Sequence, residues 1–185
     1  TFLTVSGQLN AEVYAQAFSS TYTFGPTFRA ENSHTARHLA EFWMIEPEMA
    51  FAQLPDVYKM AERFIKYQIK HILASHEQDM AFFDTHIEKG LIERLDKVLK
   101  ADFAVISYTE AIDILLACDE KFDYPVSWGI DLQSEHERYL AEKHVSGPII
   151  LTNYPKTIKA FYMRDNEDNK TVAAFDIIVP KVGEI

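Results

Sequence analysis

The sequence predicts an α+β fold, a mainly antiparallel sheet flanked by helices, and three observations carry that expectation. β-Prone, aromatic-rich segments lie toward both ends of the chain, and segments with strong helical periodicity fill the middle. The composition is dense: among 185 residues, 48% are hydrophobic, 13 are Phe and 9 are Tyr, against six Gly and seven Pro. That supports one core and argues against disorder.

Residues 1–5 (TFLTV) form a short β-rich run. Leu9, Val13, Ala17 and Phe18 recur at helical spacing, so residues 8–19 are expected to be an amphipathic helix. Residues 22–31 (YTFGPTFRAE) and 41–51 (EFWMIEPEMAF) read as strands. The polar connector 32–40 (NSHTARHLA) joins them into an antiparallel hairpin with a long tip. Val57, Met60, Ala61, Phe64, Ile65, Ile69, Ile72 and Leu73 then mark one face of a long helix. Shorter helices are expected over 78–87, 91–99 and 108–118, the last with Thr109 as N-cap, and a charged helix over 131–144. Three closing strands are expected at 148–153, 159–164 and 171–179, the last two joined by the polar turn 165–170 (DNEDNK).

A formal net charge of −10 excludes a protein that coats nucleic acid along its whole surface, so any polynucleotide contact is local. Cys118 is the single cysteine, which excludes a disulfide framework and a cysteine-based zinc site and fits a cytoplasmic location. No apolar run approaches the roughly 20 residues of a membrane span. The chain starts at Thr1 without Met and stops at Ile185 in mid-pattern, as expected of an interior piece of a longer polypeptide.

Chemistry concentrates on the first hairpin. Alternation puts Thr27, Arg29 and Glu31 on one face, and Phe42, Met44, Glu46 and Glu48 share a face on the returning strand. The connector adds Arg37 and His38. A guanidinium, carboxylates and an aromatic ring on one surface suit a nucleotide: Arg takes phosphate oxygens, a ring stacks on the base, a carboxylate accepts from an exocyclic amine. The same residues on a solvated hairpin would be ordinary surface. His34 and His38 stand at i, i+4, but no third metal ligand accompanies them.

Residues 23–51, TFGPTFRAENSHTARHLAEFWMIEPEMAF, resemble motif 2 of the class II aminoacyl-tRNA synthetases in the subclass serving aspartate, asparagine and lysine. Three separated elements, FRAE, RHL and EFW…EPE, fall in the family's order and spacing. The resemblance implies that Arg29 binds the ATP α-phosphate and the amino acid's carboxylate as the adenylate forms. It also implies that Glu31 faces the adenine amine, His38 reaches toward the γ-phosphate and Phe42 stacks on adenine, with Arg37 contacting phosphate or the tRNA acceptor end.

Residues 5–14 (VSGQLNAEVY) resemble the subclass's amino-acid-binding loop and helix, making Ser6, Gln8 and Glu12 the candidates there. Gln8 would contact the α-amino or carboxylate end of the substrate. Aspartate-activating relatives carry a lysine where Ala11 stands here. A buried Glu12 can accept from an amide but would repel a carboxylate, so asparagine fits better than aspartate. As plain sequence, Glu12 is also a common first-turn helix acid.

Residues 128–144, 153–164 and 171–185 continue the resemblance, which is weakest in the helical insert at about 56–122. The family's Mg²⁺-holding acidic residues fall on Asp176 and Glu184, and oxygen donors completed by substrate phosphates are what Mg²⁺ requires. Asp176 is informative without the family too, because a carboxylate in an apolar strand needs a partner. Residues 1–185 are thus expected to be a partial class II catalytic domain, without motif 1, motif 3 or the anticodon-binding domain. The implied activity is ATP-dependent activation of asparagine and transfer to its tRNA, in an enzyme that is a homodimer at full length, with the isolated piece inactive. The alternatives are an aspartate-activating relative and a non-catalytic remnant that binds a nucleotide or a partner.

Overall fold

The computed structural model describes residues 3–30 and 38–185. The chain divides into two compact units, Thr1–Gln53 and Leu54–Ile185.

The first unit contains helix α1 (Gln8–Phe18) and the antiparallel strands β1 (Ser20–Phe28) and β2 (Glu41–Met49), in a register that sets Thr27 opposite Phe42 and Thr23 opposite Glu46. The period of two in both strands makes two unlike faces. Thr21, Thr23, Gly25 and Thr27 share one with Phe42, Met44, Glu46 and Glu48, and all are buried or half-buried. Helix α1 covers this face through Ala11 and Ala15, whose small side chains at i, i+4 allow close approach; Thr21 Oγ1 donates to Ala11 O at 3.2 Å. The opposite face carries exposed Tyr22, Phe24, Trp43 and Ile45. The predicted hairpin is therefore present. The run at the N-terminus is no regular strand over residues 3–5, although Phe28 N donates to Thr4 O at 2.9 Å.

The second unit begins with α2 (Leu54–Ser75), α3 (Glu77–His86) and α4 (Leu91–Lys100). Strand β3 (Ala104–Ser107) leads directly into α5 (Tyr108–Ala117), and α6 (Ser134–Arg138) continues as a π-helical segment over Tyr139–His144. Strands β4 (Ile149–Pro155), β5 (Thr171–Val179) and β6 (Gly183–Glu184) complete a sheet of order β3-β4-β5-β6, parallel only between β3 and β4. One face packs Tyr108, Ile112, Leu140, Leu151 and Ile178; the other packs Ile150, Ile177 and Val179 with Val98 and the apolar stripe of α2. No helix among the described residues is long and apolar enough to cross a membrane.

Four expectations change. β3 was not anticipated, because four residues are too few to show alternation. The N-cap of α5 is Ser107 rather than Thr109: Ser107 Oγ accepts from Glu110 N, Glu110 Oε2 accepts from Ser107 N, and Thr109 Oγ1 accepts from Trp128 Nε1 instead. The charged helix starts at Ser134, and its last turn widens, with Val145 N donating to Leu140 O. Residues 159–164 form no strand. A 3₁₀ turn (Lys156–Ile158) follows β4 directly, and Phe161 is 96% exposed.

Candidate active site

In the first unit, Glu46 is the hub. Its Oε1 accepts from Ser6 Oγ at 2.6 Å, and its Oε2 accepts from Gly7 N at 3.0 Å and Thr23 Oγ1 at 2.9 Å. The bonds to Ser6 and Gly7 span 40 and 39 positions of sequence and tie the start of α1 to the middle of β2. Burial alone would raise the Glu46 pKa; the bonds from Ser6, Gly7 and Thr23 and the charge of Arg29 outweigh it and hold the carboxyl below its ordinary value. Gly7 is required by space: a Cβ there would lie 2.3 Å from Thr23 Oγ1. Ser6 Oγ also accepts from Gln8 N at 3.0 Å, which fixes the first turn of α1.

Arg29 lies just beyond β1. Its Nε donates to Val5 O at 3.2 Å, and its guanidinium sits 5.2 Å from the centroid of the Phe42 ring. Across the same face, Glu48 is pushed up in pKa by burial and by the neighbouring Glu12 and Glu46. Three carboxylates thus neighbour one another, and of them Glu46 feels the charge of Arg29. A Glu48→Gln replacement removes like-charge repulsion and is expected to stabilise the fold by roughly 0.5–1 kcal/mol at pH 7. The gain should vanish below pH 4.5, where Glu48 is protonated in both states, and urea unfolding at the two pH values checks it.

In the second unit, Asp176 lies on β5 among Ala174 and Ile178, on the face of the α5 core. Lys159 Nζ bonds Asp176 Oδ2 at 2.8 Å, and the Tyr154 hydroxyl donates to the same carboxylate. Burial first, then the charges of Asp176, Glu184 and Glu137, drives the Tyr154 phenol far above its usual value, so it stays a proton donor. A bulge brings Tyr154 there. Thr152 pairs with Phe175 but Tyr154 pairs with Val172, and Asn153 adopts φ 58°. The irregularity moves Tyr154 from the face of Ile150 to that of Leu151 and Asp176. Glu184 pairs with Ile178 across the turn through Lys181 (φ 64°) and Gly183 (φ 89°), so it shares the Asp176 face one diagonal step away.

The family model for class II tRNA synthetases (D, K and N) matches residues 1–185. The chain belongs to this family. Among curated members, an asparagine–tRNA ligase of Pseudoalteromonas atlantica is 64% identical over 185 residues, and one of Clostridium botulinum is 62% identical over 185 residues. All of this chain is covered in both comparisons, and it spans 40% of the length of each relative. Among solved structures, the asparaginyl-tRNA synthetase of Pyrococcus horikoshii complexed with asparaginyl-adenylate is 35% identical with a TM-score of 0.85, over 98% of this chain and 40% of that one. The Entamoeba histolytica asparaginyl-tRNA synthetase bound to the same adenylate has 27% identity and a TM-score of 0.81, over 98% of this chain and 40% of that one. The fold expected from the class II synthetase resemblance is thereby shown.

Against that family background, the hairpin unit carries Ser6, Gln8, Glu12, Arg29 and Phe42. Glu12 is exposed rather than buried, and its Oε1 accepts from Gln8 Nε2 at 2.9 Å, as a residue one helical turn away can. His38 is exposed just before β2. Glu31, His34 and Arg37 lie outside the described residues. Asp176 and Glu184 share a face, and no group of three or more His, Cys, Asp or Glu among the described residues is placed to hold a metal. Two carboxylates completed by substrate phosphates still match what Mg²⁺ accepts, and Asp176 already faces an ammonium at hydrogen-bond distance. Gly7, Tyr154 and Lys159 are not among the residues the sequence singles out for the site, and Glu46 is named there only as one carboxylate of the hairpin face. The one available sign was that Glu46 alternates onto the face of Phe42 and Met44.

Proposed function

We propose that this chain is part of an enzyme that activates asparagine with ATP and transfers it to its tRNA. The observation that carries the choice of amino acid is the pair of neighbouring carboxylates Glu12 and Glu48, with Glu46 adding to the negative charge there. A substrate side chain ending in an amide can donate to these carboxylates, whereas a second carboxylate would add to a repulsion that already raises the Glu48 pKa. The relatives described above are asparagine–tRNA ligases, which supports the same choice.

In this reading the asparagine carboxylate attacks the ATP α-phosphorus and pyrophosphate leaves. Arg29 balances the charge that accumulates on the phosphate and holds the carboxylate in line; no protein nucleophile is needed. Ser6, Gly7 and Gln8, anchored by Glu46, form the rim for the amino acid's backbone end. Glu31, Arg37, His38 and Phe42 serve ATP, with Phe42 presenting its ring to the adenine. Asp176 and Glu184 hold Mg²⁺, which when bound neutralises phosphate charge. A hydroxyl of the terminal ribose of the tRNA then attacks the asparaginyl carbonyl; the ester forms as the acyl–phosphate bond breaks and AMP leaves. Assembly as a homodimer and a cytoplasmic location belong to the same proposal.

The test is ATP–pyrophosphate exchange by the full-length protein with asparagine and aspartate side by side. Exchange with asparagine is expected to exceed that with aspartate by more than about 10²-fold in kcat/KM. Preference for aspartate would overturn the assignment.

A further inference from the structure

Lys159 emerges from the short 3₁₀ turn after β4 and directs its ammonium inward. Nζ lies 2.8 Å from Asp176 Oδ2 and 3.9 Å from the centroid of the Tyr154 ring. The Lys159 and Asp176 side chains are 21% and 20% exposed, unlike the solvated helix pair Lys97–Glu93 at 73% and 72%. Asp176 is gripped from two sides, by the ammonium and by the Tyr154 hydroxyl, and Tyr154 is itself 4% exposed. The carboxylate is therefore aimed before any cation arrives, and the Asp176 charge already has a cation beside it, in a region that Glu184 and Glu137 also make negative.

We propose that Lys159 is a positioning residue of the cation site: it orients Asp176 and weakens the site's pull on a lone divalent cation, so that the cation enters together with nucleotide phosphates. This rests on the reading of Asp176 and Glu184 as the Mg²⁺ site. The physical basis is simple. A dication and an ammonium about 6 Å apart repel enough, even in water, to weaken binding roughly tenfold, and a cation sharing Asp176 with Lys159 meets repulsion of this order. Phosphate oxygens supply compensating negative charge, so the penalty falls mainly on the cation without its nucleotide. A site of this kind takes free metal less readily than metal with its nucleotide, and it also avoids leaving Asp176 as a half-buried, unneutralised carboxylate.

The experiment is a Mn²⁺ titration of the full-length protein without nucleotide, with free Mn²⁺ read by electron paramagnetic resonance. Lys159→Gln keeps a hydrogen-bond donor for Asp176 but removes the charge, and is expected to bind Mn²⁺ roughly tenfold more tightly than the unaltered protein. Lys159→Met should tighten binding in the same direction, so a folding failure of either variant leaves the other to decide. Lys159→Arg, which keeps the charge, should stay within about twofold of the unaltered protein. Unchanged or weaker Mn²⁺ binding by the folded neutral variants overturns the proposal, as does an equal shift in Lys159→Arg. Asp176→Asn separates the two readings. If it leaves Mn²⁺ binding in the presence of ATP intact, the cation-site reading fails and the proposal with it. If it abolishes binding while Lys159→Gln shows no tightening, only the role of Lys159 is lost.

Discussion

Replacing Arg29 with alanine is expected to lower asparagine-dependent ATP–pyrophosphate exchange by about 10²–10³-fold in the full-length protein. The expectation follows from where the guanidinium sits. Its Nε is fixed by Val5 O, its guanidinium lies 5.2 Å from the centroid of the Phe42 ring, and the charge of Glu46 is close by, so it is positioned before substrate arrives. A preset cation stabilises charge that develops on a phosphate without reorganising during the reaction, and most of the loss should therefore appear in kcat. An Arg29→Lys variant keeps the charge but loses the planar fork, and its exchange should still fall by about 10–10²-fold. The fold should change little, because the guanidinium makes one backbone hydrogen bond, loose contacts to Met44 Sδ and Phe42, and the smallest of the contributions that keep Glu46 ionised. Near-unaltered exchange by folded Arg29→Ala would remove Arg29 from the chemistry.

What could be read from the amino-acid sequence was whatever depends on local period. The two faces of the hairpin follow from alternation, and the structure returns them with Thr27 opposite Phe42. The long amphipathic helix follows from a repeat of three to four, and α2 runs over Leu54–Ser75. Asp176 stood out because an acid in an apolar strand needs a partner. Its partner does not stand out, since a strand is expected over 159–164 where the chain is irregular after the 3₁₀ turn. Tyr154 shows the same limit. A period of two puts it on the face of Ile150, and only the irregularity at Asn153 brings it to Asp176. The Glu46 hub depends on contacts 39 and 40 residues apart, which no local pattern encodes. Loop geometry and long-range hydrogen bonds assemble the candidate site, while periodicity supplies only the surfaces on which it is built.

Glu46→Ala is the substitution expected to cost the fold most within the first unit, by roughly 2–4 kcal/mol. Three donors lose their acceptor at once: Ser6 Oγ, Gly7 N and Thr23 Oγ1. The two hydroxyls can turn toward water, but the Gly7 amide cannot move far, because the space beside it is filled by Thr23. The pH dependence gives the sharper check. Glu46 has a folded pKa below the unfolded value of 4.5, so its stabilisation is fully present above pH 4.5 and is lost as pH falls through the depressed folded value. Glu48 has the opposite sign: its raised folded pKa makes ionisation costly as pH climbs above 4.5. Urea unfolding between about pH 3 and pH 7 should therefore show the acid-side loss flattened in Glu46→Ala. Glu46→Gln, which retains an acceptor but no charge, should lose about half as much at pH 7 and show the same flattened acid limb. Because Ser6 and Gly7 would no longer be tied to β2, the KM for asparagine should rise in both variants more than kcat falls. Unaltered stability together with an unaltered KM in Glu46→Ala would mean that the turn before α1 is held by something other than this carboxylate.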